Sequence, residues 1–475
     1  MKNQVFNPFL PSWEYIPDGE PHVFGDRLYL FGSHDRFNGT QFCMNDYVCW
    51  SAPIDDLSDW YFHGTVYSKK QDPYAKEDSI MQAPDVVRGY DGRFYLYYAL
   101  GLIPFVSVAV SDNPEGPYEY YGVIKRKDGS FVGMGKHDVF MFDPGLFMDE
   151  DGKCYLYCGF GPKEEGFFAQ VCQKYQMEGA YVCQLSEDML TIKTEPTLLL
   201  PKYKGAAGTS FEGHAFYEAS SMRKIGGLYY FIYSSEKMHE LCYAISKHPD
   251  RDFTYGGTLV SIGDIGFNGN TTPKNYLGNT HGSLIQVNNQ WYVFYHRQTN
   301  KHNYSRQACA EPIRLGADGF FRQAEITSCG LNGKPLMGEG EYPARIACNL
   351  WSKRGALEYG TASTPEADGH PYFTQTGTDR EENGDQYIAD MRDGATAGFK
   401  YFELSGIKQI GVLISGNAQG SIQIRTELQQ EPVCNIPVAG DGWFFAPCFP
   451  LTGKSALYFT YIGTGVMNFL SFKLE

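Results

Sequence analysis

A chain of 475 residues with a formal net charge of −15 lacks the basic surface that a phosphate backbone or an anionic membrane demands, which excludes nucleic acid and membrane as partners. The opening MKNQVFNPFLPSWEYIPDG has no apolar leader, and no stretch approaches the roughly 20 apolar residues of a membrane span, so the expected location is cytoplasmic. In that setting the twelve cysteines read as reduced and mostly buried, and no CxxC pair suggests a metal site. From Pro17 the chain then repeats one phrase five times: a polar residue, an apolar run, a tight turn and an aromatic-rich strand. The copies are PDGEPHVFGDRLYLF from Pro17, APDVVRGYDGRFYLYY from Ala83, FDPGLFMDEDGKCYLY from Phe142, YEASSMRKIGGLYYFIY from Tyr217 and THGSLIQVNNQWYVFY from Thr280. Each predicts two short strands joined by a Gly- or Asn-containing turn, the signal of a β-hairpin. Anchored on Tyr29, Tyr95, Tyr155, Tyr230 and Tyr292, the copies lie 66, 60, 75 and 62 residues apart. A hairpin repeat of that length predicts an all-β, five-bladed β-propeller.

The repeat also places polar residues in register. Ten to twelve residues before each anchor tyrosine stand Asp18, Asp85, Asp143, Glu218 and His281. Matching positions in blades lie at matching radii, so these five are expected to converge on one end of the central channel. A single acid of this kind is commonly a turn or strand-edge residue, and Asp85 in Ala-Pro-Asp fits that description. Trp50, Phe160 and Trp291 are candidate sugar-stacking platforms, although aromatics on strands are more often core. Between the third and fourth copies, Gly161–Tyr181 is long enough to cap the channel mouth. After the fifth copy, the Gly-rich stretch from Gly330 to Arg345 marks a linker, giving expected domains at 1–335 and 336–475. The second consists of period-2 segments such as IKQIGVLISG and GSIQIRTEL, which predict an antiparallel, jelly-roll-like β-sandwich.

The five motifs together resemble glycoside hydrolase family 43, five-bladed propeller enzymes that cleave arabinose- and xylose-containing glycans with inversion. The resemblance covers nearly the whole propeller. It implies that Asp18, in Pro17-Asp18 followed by Gly25-Asp26, is the general base, with Glu20 of Glu20-Pro21 in reserve because Gly19 replaces the usual proline. It implies that Asp143, in Asp-Pro…Asp-Gly, tunes and orients the acid. Glu218, spaced from Lys224 and the Tyr229-Tyr230 pair as in the family, is then the general acid, with Glu212 as rival. His281, Arg297 and Asp85 are implied as substrate-binding residues. No cofactor is required, and one structural calcium ion on the axis near His281 is allowed. The tail is similar in pattern to family 6 carbohydrate-binding modules.

Inverting cleavage needs an acid to protonate the leaving oxygen and a carboxylate to activate water on the opposite face, about 6.5–9.5 Å apart. Residues from different blades of a narrow channel can meet such a span. The expected activity is therefore an exo-acting α-L-arabinofuranosidase on arabinose- or xylose-containing oligosaccharides. A β-D-xylosidase is the alternative within the family, and a non-catalytic glycan-binding propeller the alternative outside it.

Overall fold

A computed structural model describes residues 4–358, 365–380 and 385–475. Residues 20–322 form five four-stranded antiparallel sheets, each built from consecutive strands in sequence order. The inner strands are Glu20–Phe24, Met81–Arg88, Gly145–Met148, Phe216–Ile225 and Leu284–Val287. The second strands are Arg27–Phe31, Phe94–Leu100, Cys154–Phe160, Leu228–Ser235 and Gln290–Thr299. One anchor tyrosine of the repeat lies on each of these second strands, so the sequence period is the blade period. The second strands are almost wholly buried, because each packs against sheets on both sides, and they read as aromatic runs for that reason. Trp50, Phe160 and Trp291 belong to this packing rather than to a sugar platform. Trp50 is buried and donates its indole N–H to Glu14, Phe160 is buried, and Trp291 packs edge-on against Phe321.

The inner strands approach the axis closely. A Cβ on Gly145 would lie 2.1 Å from the Ser220 carbonyl oxygen of the next blade, so only glycine fits. Just upstream of the inner strands, or at their start, the backbone kinks through positive φ at Asp18, Ala83, Asp143 and Ala219. In blades two and four the ladder registers this as a slip between Gln82 and Asp85 and between Glu218 and Ser221. Such bulges aim a side chain out of the pleat at a cost of about 1–3 kcal/mol for non-glycine residues, which the surrounding sheets must offset.

The ring closes without a shared strand. Asn7 in the leading segment joins blade five through its backbone N–H to Ser328 and its side chain to Ala310 and Glu311, while Phe9 packs on Phe294. Beyond the propeller, strands from Leu336 to Leu474 form a β-sandwich held as one ten-stranded sheet. Two long strands, Thr396–Gly416 and Gly442–Thr464, pair along most of their length and bend at register slips near Phe399–Phe402 and Ser405–Gln409. Phe399, Phe402, Phe459, Phe469 and Phe472 fill its core. Its seam with the propeller is polar as well as apolar: buried Lys400 reaches Asp264 and Glu325, each at 2.9 Å.

Candidate active site

Asp18, Asp143, Glu218 and His281, from four blades, gather into one cluster. The kinked backbone of Asp18 turns its carboxylate toward blade five, where Arg306 Nη1 donates to Oδ1 at 2.9 Å. His281 Nδ1 lies 3.5 Å from Asp143 Oδ2 and 4.0 Å from Asp18 Oδ1, so one imidazole faces both acids. Asp143 also accepts the backbone N–H of Ala219, the residue after Glu218, at 3.2 Å. That bond ties the third blade's acid to the fourth blade's bulge.

The environments drive the carboxyls apart. Burial alone would raise Asp18, but the Arg306 guanidinium and, after it, the His281 imidazolium hold it below its ordinary range. Glu218, half-buried, is pushed up to about 8, first by desolvation and next by the neighbouring Asp143 charge. His281 rises to about 9 despite burial, because Asp143 bonds to it and Asp18 and Glu218 add to the field. At neutral pH the cluster is therefore an ionised Asp18, an imidazolium at His281 paired with Asp143, and a protonated Glu218.

Three residues outside the repeated phrase, Arg306, Asp35 and His296, complete the arrangement. Arg306 is fully buried and held bidentately by Asp35, through Nε to Oδ2 at 2.9 Å and Nη2 to Oδ1 at 3.1 Å. Phe42 covers its guanidinium at 4.8 Å. His296, depressed to about 3 chiefly by burial, is neutral, and its Nε2–H donates to the Asn279 carbonyl at 2.8 Å. Its Nδ1 is thus a lone pair, and it accepts the backbone N–H of Asp18 at 3.3 Å, fixing the strained residue. The signal for Arg306 was present, since an arginine inside the buried strand His302–Leu315 must meet an acid.

Strand parity explains the difference at Arg297. On Gln290–Thr299 successive side chains point to opposite faces, so His296 meets Asp18 while Arg297 turns toward the sandwich. Arg297 donates to the carbonyls of Arg345 and Ala347 at 2.7 and 3.2 Å and stacks 3.8 Å over Phe373. Asp85 likewise has partners inside the protein: it accepts the N–H groups of Leu146 and Val86, both at 2.6 Å, and meets His22 at 2.7 Å. It joins blades one, two and three. Glu20 lies buried on the channel wall, bonded to Ser221 and Arg223. Glu212 is exposed in a turn, where it accepts the N–H of Gly208. Lys224 and Tyr229 both seize Asp149 of blade three, at 2.7 and 2.5 Å, so their spacing from Glu218 records how two blades are fastened.

The stretch after Gly161 carries a helix, Gly166–Lys174, and then enters the strand Gly179–Leu185. Phe160 stacks among Phe142, Phe168 and Tyr217 with centroids 5.0–5.3 Å apart, and Gly161 N–H bonds the Tyr217 carbonyl. Phe142 and Tyr217 immediately precede Asp143 and Glu218, so this segment forms a wall beside the two acids.

Comparison with known proteins shows the family and the fold. The family described as Glycosyl hydrolases family 43 matches residues 7–321. A protein named Xylosidase/arabinosidase from Thermoclostridium stercorarium is 47% identical over 481 residues, spanning 100% of this chain and 99% of that protein. A solved structure of an enzyme from Xanthomonas citri complexed with xylose aligns with a TM-score of 0.53 at 26% identity, over 68% of this chain and 93% of that one. An arabinoxylan arabinofuranohydrolase from Bacillus subtilis, complexed with cellotetraose, shares the fold over 98% of this chain and 97% of its own, with a TM-score of 0.52 at 20% identity.

Proposed function

The chain belongs to glycosyl hydrolases family 43 and is a glycoside hydrolase; on that premise we propose that it removes terminal α-L-arabinofuranosyl residues from arabinose- or xylose-containing oligosaccharides, by single displacement with inversion. The observation that carries this reading is the pairing of neighbours around two carboxyls: the Arg306 guanidinium and His281 beside Asp18, which favour its ionised form, and Asp143 beside Glu218, which favours its protonated form. Glu218 gives its proton to the glycosidic oxygen as the bond to the anomeric carbon breaks. Water attacks that carbon from the other face and its proton passes to Asp18. Each turnover leaves Asp18 protonated and Glu218 ionised, and exchange with solvent restores both. Asp143 keeps the proton on Glu218 by its charge, and Arg306 and His296 position Asp18.

β-D-Xylosidase activity is the second reading, favoured by the double name of the Thermoclostridium relative. Hydrolysis of the 4-nitrophenyl α-L-arabinofuranoside and β-D-xyloside, compared side by side, decides the order. The anomer first released, followed by proton NMR, decides inversion; initial release of the retained anomer would sink it. The wall formed by the 161–178 segment supports exo attack, because a pocket closed on one side admits a chain end. Rapid loss of arabinan viscosity would contradict it.

A structural calcium ion would have to share His281 with Asp143 and Asp18, or take the compact Glu20–His22–Asp85 trio in competition with Arg223, Ser221 and the Leu146 N–H; the proposed steps are carried by the carboxyls alone. Among the described residues all twelve cysteines are free thiols, ten of them buried, which supports action in a reducing compartment; activity found only outside intact cells would overturn that. A sugar-binding role for the sandwich is supported by Trp443, Phe445 and Phe449, exposed along one strand with the first two rings stacked at 5.5 Å.

A further inference from the structure

The excursion between the second and third strands of blade one, residues 32–46, presents Asp35 and is bonded to blade five through Ser305 and to the sandwich. Asp379 of the sandwich accepts the backbone N–H of Phe37 at 2.6 Å and the side chain of Asn45 at 3.0 Å. The same Asn45 amide donates to the Asp35 carbonyl at 3.1 Å. Next to it, Arg380 Nη1 sits 2.8 Å from both Glu14 Oε1 and His34 Nε2. Its guanidinium stacks over Trp13 and Phe62 at 5.2 and 5.1 Å. Glu14 is completely buried, and Arg380 is the one arginine or lysine paired with it among the described residues. Tyr15, whose carbonyl accepts the Asp35 N–H, is itself anchored to the sandwich through Gln375 at 2.7 Å.

Both neighbours of Asp35 are thus fastened from outside the propeller, His34 by Arg380 and the 37–45 stretch by Asp379. Asp35 in turn grips Arg306, and Arg306 grips Asp18. We propose that Asp379 and Arg380 are positioning residues for hydrolysis: the sandwich holds the blade-one excursion so that Asp35 keeps Arg306 against Asp18. The inference rests on the reading of Asp18 as general base. The groups facing Asp18 are Arg306, His281 and His296 from blade five, Asp143 and Glu218 from blades three and four, Asp35 and Cys43 from the excursion, and Tyr47 at its end. Of these, Asp35 and Cys43 belong to the excursion and Arg306 is held by it. Loss of its anchor loosens the cation, and burial then carries Asp18 upward.

The test uses the full-length chain with Arg380→Ala, Arg380→Lys, Asp379→Asn and, as a distant control, Lys353→Ala, whose exposed partner is Asp393. kcat and KM on a 4-nitrophenyl glycoside are followed against pH, with a thermal melt of each variant showing that it is folded at the assay temperature. We expect kcat of Arg380→Ala to fall at least about tenfold, since small misplacements of reacting groups have effects of that size. The acidic limb of its kcat/KM profile should move to higher pH, Arg380→Lys should recover part of both, and Lys353→Ala should match wild type. Should Arg380→Ala fail to fold, Asp379→Asn, which weakens the same anchor without emptying the Glu14 cage, gives the same readout. Folded variants with unaltered kcat and acidic limb overturn the inference. Asp18→Asn, run alongside, tests the base separately: wild-type activity there removes both readings, whereas an inactive Asp18→Asn beside an unaltered Arg380→Ala removes this one alone.

Discussion

Glu218 is the side chain on which the proposed chemistry turns. Its elevation to about 8 means that activity is lost as pH rises through that value, while Asp18, held below its ordinary 3.8, keeps the acidic limb low. The kcat/KM profile should therefore be a broad bell with its alkaline limb near 8. In Asp143→Asn the limb should move to lower pH, because the nearest negative charge is gone while burial remains. Glu218→Gln should reduce kcat about 10²- to 10⁴-fold on an alkyl glycoside and much less on a nitrophenyl one, since nitrophenolate needs little protonation. Glu212→Gln should stay close to wild type. The four residues that converge were legible because they recur in phase with the blade repeat. Asp35 and His296 were not, because they lie outside the repeated phrase, and for Arg306 the sequence offered only that an arginine on an apolar strand needs an acid, not which one. Their partnership links positions 271 or more residues apart, a separation about which local pattern says nothing.

Among the elements, the inner strands carry the tightest constraint. Gly145→Ala must push the Ser220 carbonyl away, and overpacking of this kind costs about 1–3 kcal/mol, readable as a shift of the denaturant midpoint. The hairpin repeat foretold blade count and turn positions, since each hairpin is specified by adjacent residues. It did not foretell which face of the Gln290–Thr299 strand met the site, because both faces are buried and composition cannot tell them apart. The stretch from Gly161, expected to cap the channel mouth, carries a helix, Gly166–Lys174, whose nine residues are too few to show a helical period in the sequence. On the sandwich, Trp443→Ala with Phe445→Ala should weaken retention in xylan-containing gels and leave kcat on a nitrophenyl glycoside unaltered. Unaltered retention would argue against a sugar-binding face.

For the molecule as a whole, the seam between propeller and sandwich should make unfolding a single event. Lys400 and Arg297 are buried there with partners on the other side, and leaving a buried charge or carbonyl unpaired costs several kcal/mol. Calorimetry should show one transition for the full chain, and two well-separated transitions would refute that coupling. Arg297→Ala should lower the transition temperature while the shape of the pH profile stays as in wild type, because its contacts are with Arg345, Ala347 and Phe373 rather than with Asp18. The two-part division was visible in the sequence as a change from long aromatic repeats to short alternating strands around a Gly-rich stretch. The dependence of one part on the other was not, since it rests on single side chains.

Every blade is made of four consecutive strands, and none borrows a strand from another. During synthesis, each sheet can therefore pair as soon as its own residues have emerged, with short loops to close and little waiting for distant partners. The active site behaves otherwise. Asp18 is made near the start of the chain, Arg306 near the end of the propeller, and Arg380 later still. A ribosome-bound chain arrested before residue 306 should already hold protease-resistant blades and yet hydrolyse nothing. Structure accrues gradually from the N-terminus, whereas catalytic competence arrives in one late step.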